Sequence, residues 1–210
     1  MYSTAHKKQH YEQFSFRLNF CALRHGKEWL YKMKLTEEKL NSKTIYEGKV
    51  INLKVNEVKL ENGCTAVREI VEHPGGVCVL GIDADKNVLM VKQYRAPFET
   101  VLLEAPAGKL DKGEEPLHCG QREFLEETGY TADKFTRVGE FYPSVGFLTE
   151  KIHVYIAEGL HKKAQRLDED EFLNVCKYSI DELVNMVMHN EIKDAKTVIA
   201  ILMAEKYLKG

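Results

Sequence analysis

Glu123, Glu126 and Glu127 stand at i, i+3 and i+4 in a stretch of helical composition, Gln121 to Thr128. One helix face would therefore carry all three. Like charges at that spacing repel, and they lie toward the C-terminal end of the helix, where its dipole disfavours anions. The arrangement costs stability unless a cation sits among them. Clustered carboxylate oxygens select hard divalent ions, with Mg²⁺ first because it accepts carboxylates while keeping waters and phosphate oxygens in its shell, and Mn²⁺ as the alternative. An ion held this way typically neutralises a phosphate or pyrophosphate and activates an attacking water. A Glu-rich helix face can equally be a solvated surface; the wider spacing has to decide.

The elements around the glutamates can be read from pattern. Pro116 suits a first helical turn and Gly129 a stop, which bounds a helix over Pro116 to Thr128. Upstream, "KTIYEGKVINLKVNEVKLENG" and "TAVREIVEH" alternate around Asn62-Gly63, a hairpin signal with too little core to stand alone. "VCVLGID", "VLMVKQYR", "TVLLEAPAGKL" and "KIHVYIAEGL" read as further strands. "SIDELVNMVMHNE", opened by a Ser179/Glu182 capping box, and "DAKTVIAILMAEKYLKG" read as two closing helices. Strands mixed with a few helices on an apolar core predict an α/β or α+β sandwich rather than a bundle.

Composition narrows the partners. With 210 residues, 44% of them hydrophobic, the chain can bury a real core, and a net charge of -2 offers no basic field for nucleic acid or anionic membrane. The cysteines, Cys21, Cys64, Cys78, Cys119 and Cys176, never take a CxxC spacing, so a disulfide framework and a zinc site are both disfavoured. A reduced, cytoplasmic setting is expected, and no apolar run suits a membrane helix or a signal peptide. Residues 1–32 show no sustained periodicity and read as an extension, disordered or not native. "KEW" at Lys27 to Trp29 could be encoded by AAG GAG TGG, which resembles a ribosome-binding sequence a few codons before Met33 and makes Met33 the expected natural start.

The spacing around the glutamates is decisive. Gly108, five residues, Glu114, seven residues, Arg122-Glu123, an apolar residue, one residue, Glu126-Glu127, one residue, Gly129 and an apolar residue match the Nudix box in full. At about one in twenty per fixed position, chance gives this in a chain of such length on the order of once in ten million, so the solvated-surface reading fails. The sequence resembles the Nudix hydrolases from about Lys43 to its end. That resemblance implies an α/β/α sandwich with a mixed sheet, in which Glu123, Glu126 and Glu127 and the backbone carbonyl of Ala107 hold metal. It also implies a catalytic role for Glu127 through that metal. Glu114 and Arg122 would fix the loop by a mutual charge pair, and Gly108 and Gly129 are backbone positions.

Outside the box, "REIVEHPGGV", "VKQYR", "LLEAPAG" and "YPSVGFLTE" resemble the bacterial ADP-ribose pyrophosphatases. This implies Mg²⁺-dependent hydrolysis of ADP-ribose to AMP and ribose 5-phosphate. It also implies a homodimer paired through an antiparallel strand unit, residues 33–73, that precedes the hydrolase domain, residues 74–210. Arg68 would reach substrate across the dimer, Arg95 would hold a phosphate, and Glu150 would contact substrate. In "LDEDEF", Glu169 matches the general base and Glu171 a further metal ligand. Two departures stand out: the proline usual before the loop glycine is displaced to Pro143, leaving Val145-Gly146, and Lys49 and Val50 replace the aromatics that follow the position of Gly48. Another nucleoside diphosphate sugar or nucleotide is therefore the alternative substrate. A non-catalytic ADP-ribose sensor is a further alternative, disfavoured by the intact box and by the lack of space for a helix-turn-helix unit after the last helix.

Overall fold

The computed structural model describes residues 34–167 and 171–210. The chain divides into two units, Met1–Leu35 and Thr36–Gly210. The expected extension at residues 1–32 lies outside the described residues.

Thr36–Gly210 opens with an antiparallel sheet of three strands, β1 (Glu38–Glu47), β2 (Asn52–Lys59) and β3 (Thr65–Glu72). β2 and β3 form the hairpin signalled by Asn62-Gly63, where the Cys64 amide donates to Asn62 Oδ1 at 3.0 Å. β1 is exposed along its whole length, and Leu40, Ile45 and Tyr46 leave about half of their surface to solvent.

The main sheet contains β4 (Gly76–Ile82), β5 (Asn87–Arg95), β6 (Thr100–Glu104), β7 (Ala107–Lys109), β8 (Tyr130–Phe141), β9 (Ile152–Lys162) and β10 (Leu173–Ser179). Its order is β10-β5-β4-β9-β8, with β6 on β5 and β7 on β4. β4 and β9 run parallel and the other pairs antiparallel, so the sheet is mixed. β4 is buried at every residue, and its alternation feeds two cores. Cys78, Leu80 and Ile82 pack with Leu183 of α2 (Ile180–Met188) and Ile201 of α3 (Ala195–Lys209). Val77 and Val79 pack with Phe124 of α1 (Pro116–Thr128) on the opposite face. Helices cover both faces of one sheet, the α/β/α sandwich expected from the sequence.

The helix ends follow from local chemistry. Pro116 sits in the first turn of α1, and Gly129 closes it in the left-handed region at φ 70°, donating its N–H to Leu125 O at 2.9 Å. The Ser179/Glu182 capping box opens α2. Asp194 caps α3 by accepting the Thr197 amide at 3.1 Å.

One set of bonds joins the two sheets. Val71 of β3 donates to Phe147 O at 2.7 Å and accepts from the Thr149 amide at 3.0 Å, so the segment between β8 and β9 is stitched to the small sheet. Cys64, Cys78, Cys119 and Cys176 are free thiols. Among the described residues no helix is long and apolar enough to cross a membrane.

Candidate active site

β7 and α1 bring the box together. Pairing of β7 with the inner strand β4 sets Ala107 and Gly108 under the helix, and α1 lays Glu123 and Glu127 over them. The close approach explains the glycine: a Cβ on Gly108 would lie 1.8 Å from Glu123 Cδ. Glu127, 2% exposed, accepts the Ala107 N–H on Oε2 at 2.9 Å. Burial pushes the Glu127 carboxyl up to about 8, and the charges of Glu171 and Glu123 add to the rise. Glu123 is raised for the same reason, burial first, with Glu126 and Glu171 opposing its ionisation and Arg122 favouring it.

Arg122 is the protein's own cation in this group. Its guanidinium donates to both oxygens of Glu114 at 3.0 Å, to Glu123 at 2.8 Å and to Glu126 at 3.0 Å. The hydrogen bonds from Arg122 hold the Glu114 carboxyl down at about 2. The partner Arg122 was expected to have, Glu114, is one of three carboxylates it binds.

The donor set fits a hard divalent cation. Among the described residues no His, Cys, Asp or Glu trio is already gathered at coordinating distance. Yet the charge of Glu171 opposes the ionisation of both Glu123 and Glu127, Glu123 opposes that of Glu127, and Glu127 is buried with a backbone amide on one of its oxygens. Oxygen-only donors that repel in a half-buried site are what a cation of this class relieves.

Beside the helix lies a cleft of about 360 Å³, lined among others by His73, Arg95, Gly108, Pro143, Glu150 and Lys196. That volume is in the range of small-molecule sites. Arg95, at the end of β5, is anchored by a two-pronged bond to Glu104, from Nε at 2.6 Å and Nη2 at 2.8 Å. Glu150 is mostly buried, with one carboxylate oxygen 3.4 Å from His73 Nδ1. A second cavity, lined by Gly48, Lys49, Val50 and Asp111, shares His73 and Lys109 with the first.

The structure thus gathers Arg95, Ala107, Gly108 and Glu150 around one cleft, with Glu123 packed directly above Gly108. Arg68 is placed differently: on β3 it forms an ion pair with Glu37 at the start of the small sheet. Glu169 lies outside the described residues, while its neighbour Glu171 acts electrostatically on Glu123 and Glu127. Sequence reasoning missed Glu104, Asp194, Lys196 and His73. The signal for Glu104 was visible as a single charge closing the apolar run "TVLL", a position where an unpaired carboxylate would be prohibitive.

A family model described as NUDIX domain matches residues 72–200. The chain is 48% identical over 172 residues to an ADP-ribose pyrophosphatase of Bacillus subtilis (strain 168), covering 80% of this chain and 93% of that protein. It is 46% identical over 171 residues to a methanol dehydrogenase activator of Bacillus methanolicus, covering 80% of this chain and 92% of the relative. A solved structure described as an ADP compounds hydrolase superposes with a TM-score of 0.76 at 20% identity, over 86% of this chain and 98% of the other, a likeness of fold.

Proposed function

The chain belongs to the Nudix hydrolases, and on that premise we propose that it cleaves the pyrophosphate of ADP-ribose to AMP and ribose 5-phosphate in a Mg²⁺-dependent reaction. The observation that carries this reading is the shared cleft: Arg95 and the β7 residues Ala107 and Gly108 line it, beside an α1 face of repelling glutamates. The 48% identity to an ADP-ribose pyrophosphatase supports the substrate.

Glu123, Glu126, Glu127 and Glu171, with the Ala107 carbonyl, would hold the metal. Bound there, Mg²⁺ supplies neutralisation of the pyrophosphate charge. The protein's own groups do the rest. Arg95, fixed by Glu104, offers its remaining N–H groups to a phosphate, a task suited to a guanidinium. Glu150, which lines the same cleft, orients substrate. Glu169 takes a proton from water, whose oxygen bonds to one phosphorus while the bond from that phosphorus to the bridging oxygen breaks. What supports a base at Glu169 is the electrostatic effect of Glu171, two positions on in sequence, on Glu123 and Glu127. The free thiols fit a reducing compartment, the cytoplasm.

The exposed apolar residues of β1 support pairing of residues 33–73 with a second copy, which would bring Arg68 to the partner's cleft. Light scattering is expected to give a mass near twice 24.1 kDa. A monomer at micromolar concentration would overturn both the pairing and the role of Arg68.

Substrate choice is tested by comparing kcat/KM for ADP-ribose, ADP-glucose, GDP-mannose, FAD and NADH. ADP-ribose is expected to lead by about tenfold or more, the scale of discrimination that a few pocket contacts provide. Preference for another compound would keep the chemistry and replace the substrate. The 46% relative favours a second reading, in which the same cleft serves to activate a dehydrogenase. Faster turnover of a methanol dehydrogenase on adding this protein would support it.

A further inference from the structure

The start of α3 carries a charge relay that the box does not require. Lys196, at the second position of the helix, donates from Nζ to Asp194 Oδ2 at 2.8 Å and to Glu104 Oε2 at 2.5 Å. Glu104, 2% exposed, accepts the two-pronged bond from Arg95 on both oxygens and so shares Oε2 between Arg95 Nη2 and Lys196 Nζ. Asp194 is itself held by the amide and hydroxyl of Thr197, and Thr197 Oγ1 accepts the Ala105 N–H at 2.9 Å. Side-chain exposure is 17% at Lys196, 2% at Glu104 and 38% at Arg95, so a buried carboxylate lies between two less buried cations. Both cations line that cleft.

Charge sharing gives the arrangement a consequence. If Arg95 alone faced Glu104, the buried carboxylate would neutralise it, and little of its field would reach the cleft. Lys196 bonds the same Glu104 oxygen as Arg95 Nη2 and takes part of the Glu104 charge, while Asp194, positioned by the amide and hydroxyl of Thr197, holds the ammonium at that point. We propose that Lys196 is a positioning residue of the pyrophosphate subsite: through Glu104 it fixes the Arg95 guanidinium at the cleft and leaves the arginine's charge available to a substrate phosphate. This rests on the reading of the cleft as a nucleoside diphosphate site, whichever sugar is attached. A purely structural ion pair would instead affect stability and leave the affinity of the folded protein unchanged.

The test compares wild type, Lys196→Met, Lys196→Gln and Lys196→Arg in the full chain. Three readouts are taken: Kd for ADP by calorimetry with Mg²⁺ present, KM and kcat for whichever diphosphate the wild type cleaves best, and thermal unfolding. Each neutral variant is expected to weaken ADP binding and raise KM by about tenfold or more, the scale of a charge-assisted phosphate contact, with kcat within about threefold of wild type. Lys196→Arg, which keeps the charge, is expected to recover both constants to within about threefold. Unchanged Kd and KM in a folded neutral variant would overturn the proposal, as would loss of kcat alone. Failure of both neutral variants to fold would make Lys196 structural and overturn it equally. The functional reading is judged separately, by whether the wild type binds ADP and cleaves any diphosphate at all.

Discussion

Glu127→Gln loses about a thousandfold or more in kcat/KM while the protein folds as well as wild type or better, the scale expected when a charge-stabilising group is removed. The two halves of this result have separate causes. Activity falls because an amide cannot supply the negative oxygen that the proposed cation and the pyrophosphate require. The fold survives because Gln has the shape of Glu and still offers an oxygen to the Ala107 N–H. Burial also disfavours the charge, so removing it relieves the metal-free protein. The sign can be followed with pH: the folded carboxyl titrates at about 8 against an ordinary 4.5, so it binds its proton more tightly in the folded state. In chelator, wild-type stability is fullest below the ordinary value and is lost as pH rises toward the folded one. The melting-temperature advantage of Glu127→Gln should therefore widen across that window. Retained activity at saturating Mg²⁺ would remove Glu127 from the proposed machinery.

Gly108→Ala should cost about a hundredfold in kcat/KM with the fold kept, a size typical of a displaced group in a reacting constellation. An added Cβ would meet Glu123 Cδ at 1.8 Å, Oε1 at 2.1 Å and Cγ at 2.2 Å. All three atoms belong to a side chain that can swing away, and no backbone atom is among the nearest contacts, so the strand pairing of β7 with β4 survives. The helix face then presents one carboxylate fewer to the site. Far-ultraviolet circular dichroism and thermal unfolding near wild type, alongside the lost rate, would bear this out. Wild-type activity in Gly108→Ala would mean that Glu123 works from a position other than the one above Gly108.

Much of this site was legible because its signals are local. Pro116 and Gly129 bound α1 by backbone chemistry, Ser179 and Glu182 cap α2 within four residues, and the box fixes Glu114 to Arg122 across one loop. The sandwich followed from apolar strands mixed with a few helices, among them the two closing helices with their apolar spacing. The illegible parts are long-range. Lys196 meets Glu104 across 92 positions, and nothing in "DAKTV" marks its lysine as bound for the cleft rather than for solvent. The bonds between β3 and the segment before β9 join residues more than seventy positions apart, and they couple Glu150 to His73. β7 is too short to show a strand period; its three residues are extended because β4 offers them partners. The ion pair of Arg68 with Glu37 was equally hidden, since each residue reads alone as a surface charge.

The central claim, a metal-dependent pyrophosphatase built on the α1 carboxylates, is tested most directly by incubating the protein with ADP-ribose in Mg²⁺ or in chelator and resolving the products by chromatography. The account predicts AMP and ribose 5-phosphate in equal amounts with Mg²⁺, none in chelator, and recovery when the metal is restored. Cleavage that proceeds undiminished in chelator, or an ADP-ribose left intact in Mg²⁺ by a folded protein, would contradict it.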